Sequence, residues 1–295
     1  MRSGVVVLAG LPSVGKSSLV NRIIGRKLVI TSPRKQTSRY AVVAIFTDDE
    51  RGQIVFRDTP GLHDAALGPL NQRMHAETVE ALKMADVLLE VVSPDQPDPL
   101  GRLAALDSFR GPRLRVVNKV DLIPKAGRCG HPLLQPPGEG GPAVMAVSSS
   151  TGEGIAPLVE ALFALLPEGD FLYPPDDLSD RPQRFFMAEI IREKVMLFTH
   201  QEIPYASAVV VEESSWDEAG GIWRVQAVVY VEKESQKGIV IGRGGQMLKR
   251  IGQSARLGLE SFLDGRVRLD LWVKVRRNWT KDQGFLRELG LNGNS

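Results

Sequence analysis

From Val5 to Leu166 short β-branched apolar runs alternate with stretches of helical spacing. The Val5-Val6-Val7 run predicts a buried strand, and a helix follows from about Ser18 to Gly25. Val29–Arg39 is polar, carries Pro33 and shows no clean period, so it reads as a loop. Tyr40–Phe46 and Gln53–Arg57 predict two strands around the acidic turn at residues 48–52. A helix is expected near Leu70–Met84. Strands are expected at Asp86–Val92, Leu114–Val117 and Pro142–Val147, before a helix near Ile155–Leu166. Strands alternating with helices predict a mostly parallel sheet with helices on both faces, holding ligands just beyond the strand C-termini. Leu122–Gly141 interrupts the pattern. Its four prolines and five glycines leave room for only a short helix.

The pattern changes after Pro167–Pro182, a Pro- and Asp-rich stretch that reads as a linker. Phe185–Thr199 has helical periodicity, while Ala206–Glu213 and Trp223–Glu232 alternate as strands around Gly220-Gly221. Ile239-Val240-Ile241 runs into Gly242-Arg243-Gly244-Gly245. A helix at about Gln246–Leu263 and an alternating strand at Arg266–Val275 follow. The tail from Asn278 to Ser295 is polar and is expected to be weakly ordered.

The 295 residues suffice for two domains with their own cores, and 43% hydrophobic with 24% charged residues is an ordinary globular composition. The one cysteine, Cys129, excludes an internal disulfide and fits a reducing compartment. Val5–Leu11 is too short for a targeting core and feeds directly into a loop motif, and no apolar run approaches the ~18 residues of a membrane span. A cytoplasmic location is expected.

Candidate chemistry begins at Gly10-Leu11-Pro12-Ser13-Val14-Gly15-Lys16-Ser17, which matches G-x-x-x-x-G-K-[ST] between a strand and a helix. Gly10 and Gly15 let backbone N–H groups curl around a polyphosphate at a positive helix end. Lys16 would reach the β- and γ-phosphates, and the Ser17 hydroxyl would ligate Mg²⁺. Asp58-Thr59-Pro60-Gly61 closes a strand. Alone it is an ordinary turn; downstream of a phosphate loop, Asp58 suits Mg²⁺, through water, and the Gly61 N–H suits the γ-phosphate. In Asn118-Lys119-Val120-Asp121 the Asp121 carboxylate can accept both N1–H and N2–H of guanine, whereas adenine would leave it unpaired. Asn118 would tie the base to the phosphate loop and Lys119 would lie along the ring. Gln36-Thr37-Ser38-Arg39 suits a first switch loop, with a Thr37 or Ser38 hydroxyl on Mg²⁺ in the triphosphate state.

With Ser148-Ser149, these motifs resemble the five sequence blocks of translation-factor-type GTPases. More narrowly, the chain resembles the Era family, which binds small-subunit ribosomal RNA during ribosome assembly. Ile30-Thr31-Ser32 through Gln36-Thr37-Ser38-Arg39, and Arg192-Glu193-Lys194 with Glu202-Ile203-Pro204-Tyr205, look like that family's signatures over residues 3–280. The resemblance implies an α/β P-loop GTPase domain at 1–168, a linker at 169–184, a smaller α+β type II KH domain at 185–281 and a polar tail at 282–295. It implies GTP or GDP held by Gly10, Ser13, Val14, Gly15, Lys16, Ser17, Ser18, Asp58, Gly61, Asn118, Lys119, Asp121, Ser148 and Ser149. Ser17, Ser38 and Asp58 would hold Mg²⁺, and Lys16, Ser38 and Gly61 would serve catalysis. The serine of the Ser148-Ser149 pair would place a backbone N–H near guanine O6.

The chain departs from the family pattern in places. Ser13 replaces an asparagine that helps hold a catalytic potassium ion in related GTPases, so K⁺ activation does not carry over with the resemblance. Position 62 is leucine rather than glutamine, which leaves no side chain to orient the attacking water and predicts slow intrinsic hydrolysis.

The 242–245 segment with its basic helix resembles the G-x-x-G loop of KH domains, where a nucleic-acid backbone approaches glycine closely. A plain strand–helix turn is the alternative for so short a motif. Charge favours the KH reading: residues 236–281 carry eleven basic and three acidic side chains in a chain of net charge +2. Gly242, Arg243, Gly244, Gly245, Lys249 and Arg250 are the candidate RNA contacts, and single-stranded RNA suits the small groove. Ile239, Ile241, Met247, Leu248 and Ile251 can face bases or core, whereas Trp272 and Trp279 read as packing residues. The resemblance further implies the small ribosomal subunit as partner through RNA near its 3′ end, a monomer, and peripheral membrane association. Two other readings are a nucleotide-gated RNA binder with negligible hydrolysis and a related GTPase whose second domain binds protein or membrane. A small-molecule P-loop kinase is disfavoured by Asn118–Asp121.

Overall fold

The computed structural model describes residues 1–29, 42–58, 80–96, 106, 109–135, 138, 141–200 and 202–289. They fall into two compact units, Met1–Asp180 and Arg181–Ser295.

The first unit is built on six strands: β1 (Arg2–Ala9), β2 (Val42–Asp48), β3 (Gly52–Asp58), β4 (Val87–Val92), β5 (Arg113–Val117) and β6 (Ala143–Ala146). Their order is β2-β3-β1-β4-β5-β6. Only the β2–β3 pair is antiparallel among them. The central strands β1 and β4 read as near-continuous apolar runs, broken in β4 by Glu90, because both sheet faces are covered. Val7, Ala9, Leu88, Val92 and Val117 pack with Ala81, Leu82 and Leu106 on one face, while Val6 and Leu8, pointing the other way, are equally buried. Helix α1 (Lys16–Ile24) leads out of β1, α2 (Lys125–Arg128) is a single turn, and α3 (Ile155–Leu165) follows β6. Among its described residues the Pro/Gly-rich stretch holds one short helix, Lys125–Arg128, and a 3₁₀ turn at Pro132–Leu134, in keeping with its composition.

In this unit one feature lies beyond the sequence reading and a second differs from it. Glu90 sits fully buried in β4, its two carboxylate oxygens taken by Arg113 and Arg115 of β5, with Nε donors at 2.8 and 2.9 Å. The stretch expected as a linker is tied to the sheet edge instead. Buried Gln53 accepts the N–H groups of Leu172 and Tyr173 at 2.9 Å and donates to the Tyr173 carbonyl at 3.0 Å. Ile45 donates its N–H to the Leu178 carbonyl, and the Ser179 hydroxyl donates to the Val43 carbonyl. A Pro/Asp-rich composition hides this pairing because backbone groups, one glutamine and one serine make it.

The second unit runs α4 (Gln183–Phe198), α5 (Ile203–Ala206), β7 (Ala208–Asp217), β8 (Ile222–Val231), α6 (Glu234–Ile241), α7 (Gln246–Leu263), β9 (Val267–Val275) and α8 (Gln283–Glu288). β8 is central, antiparallel to β7 and parallel to β9. Ile251, Ala255 and Leu259, at i, i+4 and i+8 on α7, join Ile190, Ile191, Val225, Ala227 and Val229 in one core. Ile239-Val240-Ile241, strand-like in sequence, closes helix α6 with only Val240 fully buried. The tail is also better packed than its polarity predicts. Trp279, Phe285 and Leu289 are buried against Ala208, Trp279 Nε1 donates to the Ala206 carbonyl at 3.1 Å, and Phe285 meets Tyr230 edge-on at 5.0 Å. Three widely spaced apolar residues anchor the tail as far as residue 289.

Candidate functional site

The loop between β1 and α1 takes the shape its glycines permit. A Cβ on Gly10 would lie 2.2 Å from the Val91 carbonyl oxygen, so β4 passes where no other residue fits. Gly15 has φ +94°, in the left-handed region open to glycine. Ser13 shares that region at φ 64° with its side chain exposed. Val14 is buried, and Ser18 sits half-buried in the first turn of α1. The Lys16 ammonium folds back over the loop and donates to the carbonyls of Gly10 at 2.9 Å and Leu11 at 3.1 Å. Burial lowers its pKa from 10.5 to about 8, opposed by the nearby Asp58 charge.

Asp58, at the end of β3, is 1% exposed. Its Oδ2 accepts the Ser17 hydroxyl at 2.6 Å, while Oδ1 finds no hydrogen-bond partner among the described residues. Burial raises the Asp58 pKa, against the pull of Lys16 and the Ser17 hydrogen bond. A buried, half-satisfied carboxylate touching a hydroxyl at the phosphate loop has the hard-oxygen chemistry that suits Mg²⁺. The donor set fits the ion.

Asn118 is fully buried and joins three loops. Its Nδ2 donates to the carbonyls of Val14 at 3.0 Å and Gly15 at 3.4 Å, and its Oδ1 accepts the Ser149 N–H at 3.0 Å. Lys119, at φ 59°, donates from Nζ to the Ser13 carbonyl and to Asp95 Oδ2, both at 2.8 Å. The Asp121 carboxylate is exposed and accepts the Ser148 hydroxyl at 2.5 Å. That hydrogen bond is the main reason its pKa lies below the usual carboxylate range. Asp121 thus stays an ionised double acceptor.

In the fifth block the Ser148 N–H donates to the Glu153 carbonyl and the Ser149 N–H to Asn118 Oδ1. Ser148 contributes through its hydroxyl. Asp95 was not singled out by the sequence, although it lies three residues beyond β4, at the strand end where such sheets hold ligands. Thr37, Ser38, Gly61 and Leu62 lie outside the described residues.

In the second unit Gly242-Arg243-Gly244-Gly245 joins α6 to α7, so the loop is helix–turn–helix rather than strand–turn–helix. Gly242 (φ 72°) is packed: a Cβ there would lie 2.6 Å from Met247 Cβ. Gly244 (φ 56°) and Gly245 (φ 78°) have nothing within 4 Å of an added Cβ, so they face open space. Arg243, Lys249 and Arg250 are exposed around them, and the Arg250 guanidinium lies 4.5 Å above the Phe198 ring. Trp279 is a packing residue, as expected, whereas Trp272 is 45% exposed on β9.

The family described as 50S ribosome-binding GTPase matches residues 5–119, and the KH domain family matches residues 202–280. The GTPase Era of Syntrophus aciditrophicus is 43% identical over 302 residues, covering 99% of this chain and 95% of its own. The chain belongs to the Era family. That of Geobacter metallireducens is 41% identical over 98% of this chain and 97% of its own. A single-site variant of Aquifex aeolicus Era bound to GDP·AlF₄⁻ superposes with a TM-score of 0.83 at 32% identity, covering 98% of this chain and 99% of that one. A structure of Era with MgGDPNP and nucleotides 1506–1542 of 16S ribosomal RNA matches with the same score, identity and coverage. As an Era-family member the protein is a GTPase with a P-loop domain and a C-terminal KH domain. No helix of the described residues is long and apolar enough to cross a membrane.

Proposed function

We propose that this chain couples GTP hydrolysis to the grip of its KH domain on small-subunit ribosomal RNA near the 3′ end, and acts in assembly of that subunit. The observation that carries the reading is the open G-x-x-G loop, with Gly244 and Gly245 unobstructed beside exposed Arg243, Lys249 and Arg250, in the same chain as a guanine-selective phosphate site. Glycines without neighbours let a sugar–phosphate backbone come close, and the cations neutralise it. The Era structure solved with 16S ribosomal RNA supports the choice of partner.

Ser17 and Asp58 would hold Mg²⁺, joined by Ser38 in the triphosphate state. The bound ion supplies charge neutralisation at the phosphates. Lys16, released from the Gly10 and Leu11 carbonyls, holds the β- and γ-phosphates. Asp121 selects guanine, and Asn118 keeps the base segment in register with the phosphate loop. With Leu62 in place of a water-orienting glutamine, intrinsic turnover is slow. Ser13 stands where the family has asparagine, so the comparison of potassium with sodium decides whether K⁺ activates this chain.

The test is multiple-turnover phosphate release in potassium and in sodium, with and without a single-stranded fragment from the 3′ end of small-subunit ribosomal RNA. RNA affinity is measured alongside in the GTP, GDP and nucleotide-free states. RNA-stimulated turnover and state-dependent affinity are expected. Equal RNA affinity in all three states sinks the coupling. Tight GTP and RNA binding without turnover points instead to a nucleotide-gated binder.

A further inference from the structure

We infer that Asp95 is a positioning residue for nucleotide retention: it holds Lys119 across the mouth of the phosphate loop and so sets how fast guanine nucleotide leaves. The inference rests on reading Asn118–Asp121 as the base-selecting segment, and it adds a residue outside that motif.

The base segment and the phosphate loop are joined by a short row of contacts. Lys119 Nζ donates to the Ser13 carbonyl, and Asn118 Nδ2 donates to those of Val14 and Gly15, so three successive loop carbonyls are tethered. Asn118 is buried and fixed from both ends, since its Oδ1 also accepts the Ser149 N–H. Lys119 has no such enclosure; its side chain is 28% exposed. A long ammonium chain in contact with water keeps one geometry only where it has more than one strong partner, because a single carbonyl does not offset its rotamer entropy. Asp95 is the second partner, at 2.8 Å from Nζ. Its carboxylate is itself fixed, since Oδ1 accepts the Ser93 hydroxyl. β4 thus delivers, just past its C-terminal end, an anchor that points Lys119 at the loop.

Nucleotide held between the phosphate loop and the base segment leaves when the two part. Each tether that must break slows that step. A pair exposed to this degree contributes modestly, so the effect belongs in a dissociation rate rather than in loss of binding.

The experiment is displacement of mant-GDP and mant-GTP from the full-length protein by excess unlabelled nucleotide, with stopped-flow readout. Asp95→Ala is expected to release both nucleotides roughly fivefold faster, and Asp95→Asn, which keeps an acceptor, less than that. Lys119→Met with and without Asp95→Ala distinguishes positioning from a local structural effect. If Asp95 acts through Lys119, the second change adds nothing once the lysine is gone. Thermal melting of the nucleotide-free variants checks that each folds. Unchanged release from folded Asp95→Ala, or equal acceleration in the Lys119→Met background, overturns the inference while leaving the guanine site intact. Failure of the unaltered protein to bind mant-GDP overturns the site reading itself.

Discussion

Gly15 lies so close beneath Asn118 that a Cβ built on it would fall 2.3 Å from the Asn118 side-chain nitrogen. The glycine therefore meets two demands at once, a left-handed φ of +94° and room for the side chain that ties the base segment to the phosphate loop. Gly15→Ala should strain the backbone and push Asn118 off the Val14 carbonyl. Strain and lost contact together amount to about 3 kcal/mol, or roughly a 100-fold weaker hold on GDP. Equilibrium titration with mant-GDP measures it. An affinity within threefold of the parent would show that the loop can rearrange freely.

Lys16 predicts a pH dependence in the nucleotide-free protein. Its folded pKa of about 8 lies below the ordinary 10.5 of an exposed lysine, with burial as the cause. Below pH 8 both folded and unfolded chains hold the proton, and the folded state bears the full cost of a buried charge. Between about pH 8 and 10.5 the unfolded chain binds more protons, so this group's contribution to stability rises with pH, by about 3 kcal/mol at most. Phosphates favour the charged lysine, which sets the opposite trend for binding: affinity falls above pH 8, and binding near that pH takes up a fraction of a proton. Calorimetry in two buffers of different ionisation enthalpy gives the proton count. Zero uptake at pH 8 would rule out the lowered value.

Glu90 is the clearest case of a residue whose role the sequence conceals. It stands in Asp86–Val92, a run that predicts a buried strand, and the strand is indeed buried with Glu90 fully inside. Only the register between β4 and β5 reveals its partners, Arg113 and Arg115. Glu90→Ala removes the buried carboxylate that Arg113 and Arg115 share, and should destabilise the first unit by about 3–5 kcal/mol. Replacing all three residues with leucine or methionine should recover much of that, because an apolar trio needs no compensation. Chemical denaturation compares the variants. A loss below about 1 kcal/mol for Glu90→Ala would mean that water already solvates the pair.

Local signals carried the fold wherever they agreed with the packing. The apolar runs that became β1 and β4, the glycines of the phosphate loop and the i, i+4 spacing of α7 each had one physical reading. Legibility failed where a long-range partner decided the outcome. Three consecutive apolar residues at Ile239–Ile241 fit strand or helix equally, and the helix wins because Val240 alone needs burial. Residues 172–179 look like a linker until Gln53 is placed opposite them. Trp279, Phe285 and Leu289 look incidental among polar neighbours, yet together they form a small buried cluster with Ala208. At the candidate nucleotide site, residue identities put forward Asn118, Lys119 and Asp121. The assignments of Ser148 Oγ to Asp121 and of Asp95 to Lys119 needed three-dimensional proximity.

The G-x-x-G loop separates structural from functional glycine. Gly242 is hemmed in by Met247, so replacing it perturbs the α6–α7 turn itself. Gly244, at φ 56°, has open space where a side chain would go, and aspartate tolerates the left-handed region better than most residues. Gly244→Asp should therefore leave the KH domain folded while placing bulk and a negative charge where an RNA backbone would lie. We expect RNA affinity to fall by at least about tenfold, the cost of one lost phosphate contact plus repulsion, with a shallower salt dependence. Mant-GDP affinity and the melting temperature should be unchanged. Binding of a fluorescent 3′-end fragment across a salt series provides the comparison. RNA affinity equal to the parent's would place the RNA on another face of the domain and remove the loop from the contact surface.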